Sequence, residues 1–272
     1  MTGPELTSTT NPRVRAVVRL RDRRERERSG LTIVDGAREV RRALDAGVEV
    51  VDAYVSETML AGADARAVLD GLLARRIPLH MTTPAVFARL AFGERAEGLV
   101  AIVRTPPLDL DRLRLPDDPL VVVAEGVEKP GNLGAMLRSA DGAGADAFIA
   151  ASPRTDLFNP NTIRASAGTA FSIPLAAAPS AAVNPWLREH GLRIVAARVD
   201  AGLLYTEADL RGALAIVLGS EAGGLTRDWV GADIVAVRVP MLGVADSLNV
   251  SVTAAVLLYE ARRQRGFIAE PG

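Results

Sequence analysis

The chain has 272 residues, 49% of them hydrophobic, and a formal net charge of −1, a length that exceeds a usual single core and points to two domains. Cysteine is absent and histidine occurs twice, which excludes a disulfide framework, a thiol nucleophile and a metal site built on cysteine or histidine. No apolar run approaches the roughly 20 residues of a membrane span, and Met1 to Thr10 lacks the apolar core and basic start of a signal peptide. The expectation is a cytoplasmic protein with neither membrane nor metal among its partners.

In chain order, residues 1–30 read as a basic helical segment. Arg13, Arg15, Arg19, Arg21, Arg23, Arg24, Arg26 and Arg28 crowd it, opposed by Asp22, Glu25 and Glu27. Asn11-Pro12 is a helix cap followed by a first helical residue, and Val14, Val17 and Val18 form a narrow apolar stripe. Such a charge run serves either as a solvated helix with internal ion pairs or as a phosphate-binding surface. Local charge, not overall pI, decides whether phosphate binds.

Residues 31–105 read as a small α/β domain. Leu31 to Gly36 is a strand entering a turn, and Ala37 to Ala46 is an amphipathic helix ended by Gly47. Val48 to Val55 is a strand, Arg66 to Arg75 a helix and Ile77 to His80 a strand; Leu99 to Val103 closes the sheet after a loop at Gly93 to Gly98. Residues 106–119, rich in proline and charge without apolar period, form a linker.

Residues 120–266 repeat one device three times: an apolar strand opening into a Pro/Gly turn that carries short polar residues. Val121 to Ala124 leads through Lys129-Pro130-Gly131-Asn132 into a helix bearing Arg138. Ala215 to Leu218 leads into Gly219-Ser220-Glu221-Ala222-Gly223-Gly224. Asp233 to Val239, a strand that looks buried, leads through Pro240-Met241-Leu242-Gly243 to Ser247-Leu248-Asn249-Val250-Ser251 and a last helix. Helix-start residues at strand ends place backbone N–H groups and small polar side chains at one edge of a sheet, which makes a ligand site built largely from backbone.

The ordered set Asn132…Arg138, Gly219-Ser220-Glu221-x-Gly223-Gly224 and Ser247-Leu248-Asn249-Val250-Ser251 resembles the three motifs of the SpoU/TrmH branch of the SPOUT superfamily, RNA ribose 2′-O-methyltransferases. The resemblance spans roughly Pro119 to Arg265. It implies a parallel-sheet α/β domain with a deep trefoil knot, preceded by a substrate-binding domain similar to a ribosomal RNA-binding protein. It implies S-adenosylmethionine as methyl donor, held by Ala197, Gly219, Val239, Met241 and Leu248. It assigns catalysis to Arg138, Asn132, Glu221, Ser247 and Asn249, with Arg138 thought to remove the proton. By residue type Glu221 is the obvious base, since a guanidinium titrates above about 12; both assignments stay open, as does a purely orienting Arg138. Arg19, Arg21, Arg38, Arg95 and Arg164 are the candidate RNA contacts, with Arg41, Arg42 and the single lysine, Lys129, as further candidate phosphate contacts.

Among family members the nearest resemblance is to the 23S rRNA methyltransferases of the avilamycin-resistance kind. Thiostrepton-resistance enzymes have a second arginine where this chain has Ala167. Family members are homodimers, and the apolar positions Val250, Ala254, Leu257 and Leu258 of the last helix serve either that contact or the core. A tRNA 2′-O-methyltransferase and a non-catalytic RNA-binding protein are the alternatives. A dinucleotide enzyme fits poorly because Gly142-x-Gly144-x-x-Ala147 precedes its strand. A serine hydrolase fails because no Gly-x-Ser-x-Gly elbow is present.

Overall fold

The computed structural model describes residues 5–92 and 97–266, which divide into two compact units. The first holds the described chain up to Pro106 together with Asp156–Ser172; the second holds Pro107–Thr155 and the chain from Ile173 on.

The first unit begins with two helices where a single basic segment was expected. Helix α1 (Pro12–Arg19) starts at Asn11, whose Oδ1 accepts the Arg13 N–H at 2.8 Å, with Pro12 as first residue. Val14 and Val17 of α1 are buried against Phe87 and Leu90. Asp22 interrupts the run, and its carboxylate caps α2 (Arg23–Ser29) by accepting the Arg24 N–H at 2.8 Å. One of these arginines is not on the surface at all. Arg26 is 5% exposed, pairs with Asp156 at 2.5 Å and donates to the carbonyls of Leu20 and Arg21.

Strand β1 (Leu31–Asp35), helix α3 (Ala37–Asp45), strand β2 (Val50–Val55), helix α4 (Ala63–Ala74), strand β3 (Leu79–Met81), helix α5 (Pro84–Leu90) and strand β4 (Leu99–Arg104) follow. The sheet order is β1-β4-β2-β3. The last strand therefore closes the sheet from its middle, running antiparallel to both β1 and β2, and its residues Leu99–Val103 are buried.

The second unit carries strands β5 (Leu120–Glu125), β6 (Ala147–Ala151), β7 (Leu175–Ala178), β8 (Arg193–Ala197), β9 (Leu203–Leu204), β10 (Leu214–Leu218) and β11 (Ile234–Arg238), with helices α6 (Pro130–Gly142), α8 (Ser180–Glu189) and α9 (Val250–Arg265). Helix α7 (Pro160–Ala165) lies in the first unit, packed on β1. The strands form one wholly parallel sheet in the order β7-β6-β5-β10-β8-β11-β9. β5, β6 and β10 are buried along their whole length, which is why they read as unbroken Val, Ile, Leu and Ala rather than as alternation.

One expectation changes here and one open alternative is decided. The strand before the third motif is not a buried one: in β11 only Val237 is fully buried, because its outer neighbour is the two-residue β9. Val250, Ala254, Leu257 and Leu258 of α9 are core, at 7%, 0%, 1% and 0% exposure, while Val252 and Tyr259 of the same helix face outward at 47% each. Helix α6 ends at Gly142 before β6 begins at Ala147, so the Gly142–Ala147 pattern is a helix-to-strand turn.

Candidate active site

Because the sheet is parallel, β8, β10 and β11 end on one edge, at Ala197, Leu218 and Arg238, and the chain leaves each as a loop. The loops enclose a cleft of about 810 Å³. Ala197, Gly219, Val239, Met241 and Leu248, the five expected cofactor positions, all line it, as do Glu221, Ser247 and Asn249. Lys129, the N-cap residue of α6, lines it as well.

The loop after β10 is pinned at several points. Ser220 and Gly224 exchange backbone hydrogen bonds at 3.2 and 3.0 Å, and Gly224 adopts φ +63°, a conformation that suits glycine. A Cβ on Gly219 would lie 2.2 Å from the Gly224 carbonyl carbon, so no side chain fits there. Farther along, the Thr226 N–H and hydroxyl donate to the Glu125 carboxylate, each at 2.8 Å, and the Ser180 hydroxyl donates to the same carboxylate at 2.6 Å. Sequence reading missed Glu125. Its signal was a carboxylate ending an otherwise apolar strand, a placement that buried strands accept only when every oxygen is paired.

The polar motif residues form a short relay at the cleft. Asn132 is not the cap of α6; it is the third helical residue, and its Nδ2 donates to Glu221 Oε1. Asn249 Nδ2 donates to Asn132 Oδ1 at 3.2 Å. Asn249 Oδ1 in turn accepts the N–H and hydroxyl of Ser251 at 2.9 and 2.7 Å, which caps α9. Each amide is thereby oriented by the next, and all three motifs meet. At the rim Arg198 grips Asp200 with two hydrogen bonds of 3.0 and 2.9 Å, which holds the Asp200 carboxyl below its ordinary range.

Arg138 stands apart. It is exposed, does not line the cleft, and its side chain makes no hydrogen bond or ion pair among the described residues. It lies under two helical turns beyond Asn132, on a different side of α6.

The candidate RNA contacts belong to the first unit and differ in availability. Arg19 is exposed, and its guanidinium has no partner among the described residues. Arg21 donates to the carbonyls of Arg89 and Ala91 at 3.0 and 2.9 Å and lies over the Phe92 ring, a role that closes the end of α5. Arg38 pairs with buried Glu39 at 2.8 Å, and Arg42 donates to the Ala167 carbonyl at 2.8 Å. Arg164 pairs with Asp35 at 3.1 Å and donates to the Phe92 carbonyl, tying α7 to the end of β1. Asp35 is itself pushed up to about 6, first by burial, against the opposing pull of the Phe92 N–H and Arg164. Arg95 lies outside the described residues.

Residues 119–259 match the SpoU rRNA Methylase family, and residues 11–101 match the MRM3-like substrate binding domain. The 23S rRNA (uridine(2479)-2′-O)-methyltransferase of Streptomyces viridochromogenes is 32% identical over 255 residues, covering 90% of this chain and 87% of that protein. A crystal structure of an RNA 2′-O ribose methyltransferase aligns with TM-score 0.85 at 44% identity over 97% of this chain and 99% of its own. The SpoU methyltransferase AviRb from Streptomyces viridochromogenes, in complex with the cofactor AdoMet, aligns with TM-score 0.84 at 29% identity over 93% and 98%. The chain belongs to the SpoU rRNA methylase family.

Proposed function

We propose that the protein methylates a ribose 2′-hydroxyl of 23S rRNA, with S-adenosylmethionine as methyl donor. The observation that carries this reading is the meeting of Asn132, Glu221 and Asn249 at a cleft walled by Ala197, Gly219, Val239, Met241 and Leu248. The fit to the donor is one of shape and chemistry: apolar walls suit an adenine ring, and the close Gly219–Gly224 turn lets backbone approach where any side chain would intrude. When bound, S-adenosylmethionine supplies an electrophilic methyl group on a sulfonium.

The chain's own task is to place a ribose oxygen in line with that methyl and to receive its proton. Asn132 and Asn249, each fixed by a neighbour, orient the ribose; Ser247 contacts nucleotide or cofactor at the cleft wall. Glu221, held by Asn132, anchors the loop. Arg138 steers the phosphate and the 2′-oxygen or accepts the proton transiently. Lys129 meets a phosphate at the cleft. The first unit holds the RNA, with Arg19, Arg38 and Arg95 as contacts and Arg21 and Arg164 setting the surface that carries them.

Arg138 reaches a cleft from a second copy of the chain. Its exposed position and the outward Val252 and Tyr259 of α9 support a homodimer formed through this unit. The same proposal includes the trefoil knot, supported by β10 lying between β5 and β8 and by the return of α9 onto α6. Full-length likeness to AviRb supports a role in resistance to a ribosome-targeting antibiotic of the avilamycin type, and a cytoplasmic site of action follows from an rRNA substrate.

Transfer of labelled methyl to rRNA lacking the modification, mapped by reverse-transcription stops, tests the reading. One new 2′-O-methyl in 23S rRNA is expected; label in tRNA, or none with folded protein, would overturn it. Arg138→Ala should lower kcat by roughly 10²–10⁴-fold while leaving donor affinity unchanged. Mixing Arg138→Ala with Asn249→Ala should restore roughly a quarter of wild-type activity by random pairing if the site is shared between copies.

A further inference from the structure

The first unit carries its own groove, about 740 Å³ in volume, where α1 meets α5. Arg15 and Arg19, one turn apart on α1, and Arg89 from α5 line it over a floor that includes Val18, Ala85 and Ala88. No acidic side chain lines this groove.

The other arginines of the N-terminal run, Arg24 apart, contrast with these. Arg13 faces Asp52, Arg23 pairs with Glu27, Arg26 with Asp156 and Arg28 with Glu25, while Arg21 gives its donors to two carbonyls. The guanidinium groups of Arg15, Arg19 and Arg89 make no hydrogen bond or ion pair among the described residues. Arg21 adds to the crowding: burial first, and the like charge of Arg89 second, hold its guanidinium below the ordinary range. Three uncompensated cations on one concave surface raise the energy of the folded state, and a polyanion seated there relieves it.

We propose that this groove binds the phosphodiester backbone of the RNA substrate, Arg15 and Arg19 taking separate phosphates of one strand and Arg89 gripping from the opposite wall. The proposal rests on the reading of the chain as an rRNA-modifying enzyme. Side chains at i and i+4 stand about 6 Å apart, so the two guanidiniums on α1 act as separate phosphate contacts. The small floor residues leave room for sugar edges. The groove has no aromatic side chain of the kind that anchors a protein partner, and repeated cations without carboxylates match repeated phosphates rather than a mixed peptide surface.

The test uses the full chain and a 23S rRNA transcript, with binding measured by fluorescence anisotropy over a salt series. The triple variant Arg15→Gln, Arg19→Gln, Arg89→Gln should bind roughly ten- to hundredfold more weakly, with a log–log salt slope shallower by about two to three. The triple Arg→Lys variant should keep the slope. A control with Arg23→Gln and Arg28→Gln, whose side chains pair with glutamates on α2, should match wild type. Methyl transfer by the Gln triple should show a raised KM for RNA and an unchanged kcat, with donor affinity by calorimetry confirming an intact fold. Wild-type affinity and slope in the Gln triple would overturn the groove, and so would displacement of the transcript by polyglutamate as readily as by RNA. Failure of wild-type methyl transfer would sink the enzymatic reading alone, because the binding comparison still decides the groove.

Discussion

Two of the loops that wall the cleft, those after β10 and β11, are built on opposite plans. The loop after β10 is closed on itself by Ser220 and Gly224, tied to Asn132 through Glu221, and anchored to buried Glu125 through Thr226. The loop after β11 has none of this: residues 240–248 make no hydrogen bond among the described residues, and Leu242 and Val244 stand at 99% and 104% exposure. A pinned wall is ready before a ligand arrives and loses little entropy on binding; an unpinned one must be ordered then, and its exposed apolar residues supply the surface to be covered. Both loops follow near-identical strand–turn patterns, so the difference comes from what lies beside each.

Breaking the anchor should have the largest effect. Glu125→Ala removes the acceptor for three donors in a site 3% exposed, and urea denaturation should show a loss of about 3 kcal/mol together with weaker donor binding. Glu125→Gln, which keeps one oxygen, should lose about half as much. Gly219→Ala should cost about 1–3 kcal/mol by overpacking against Gly224, and calorimetry should find donor affinity reduced at least about tenfold.

A pH series sharpens the comparison by perturbing Asp35 in the first unit. Asp35 is raised from 3.8 to about 6, so the folded state binds its proton more tightly than the unfolded chain. The associated stability is fully present below about pH 4 and is lost as pH rises through about 6. Between pH 5.5 and 7.5 this carboxyl should account for a decline on the order of 1 kcal/mol, which Asp35→Asn abolishes in urea denaturation. The smallest effect on stability belongs to the unpinned loop. Leu242→Ser with Val244→Ser should change unfolding free energy by less than about 0.5 kcal/mol. Methyl transfer should nevertheless fall, through KM; unchanged kinetics would show that the exposed residues are never covered.

Much of the site was legible because its chemistry is local. Glycines at 219 and 224, the cap at Asn249 and the strand before each are properties of short segments, and short segments announce them through turn and capping residues. The alternation of strands and helices was legible for the same reason, whereas the parallel sheet was expected from the resemblance of the three motifs to SpoU/TrmH enzymes; the continuous apolar runs of β5, β6 and β10 agree with it. Where the reading departed from the structure, non-local contacts decided. β11 looked buried because valines alternate through it, yet the two-residue β9 leaves most of it half-covered. Asn132 read as the end of the turn leading into its helix, yet it is the third helical residue and Glu221, distant in sequence, takes its amide.

The sequence by itself determined which segments are strands, where each opens into a turn, and which polar residues those turns carry, since these follow from period, capping and backbone freedom over a few residues. Tertiary structure alone decided the rest. It separated paired from unpaired arginines, gave Glu125 its three donors, left Arg138 outside the cleft, and turned the apolar face of α9 into core. Each of these depends on which side chains meet across long stretches of chain, and charge, burial and hydrogen bonding are properties of the meeting rather than of the residue.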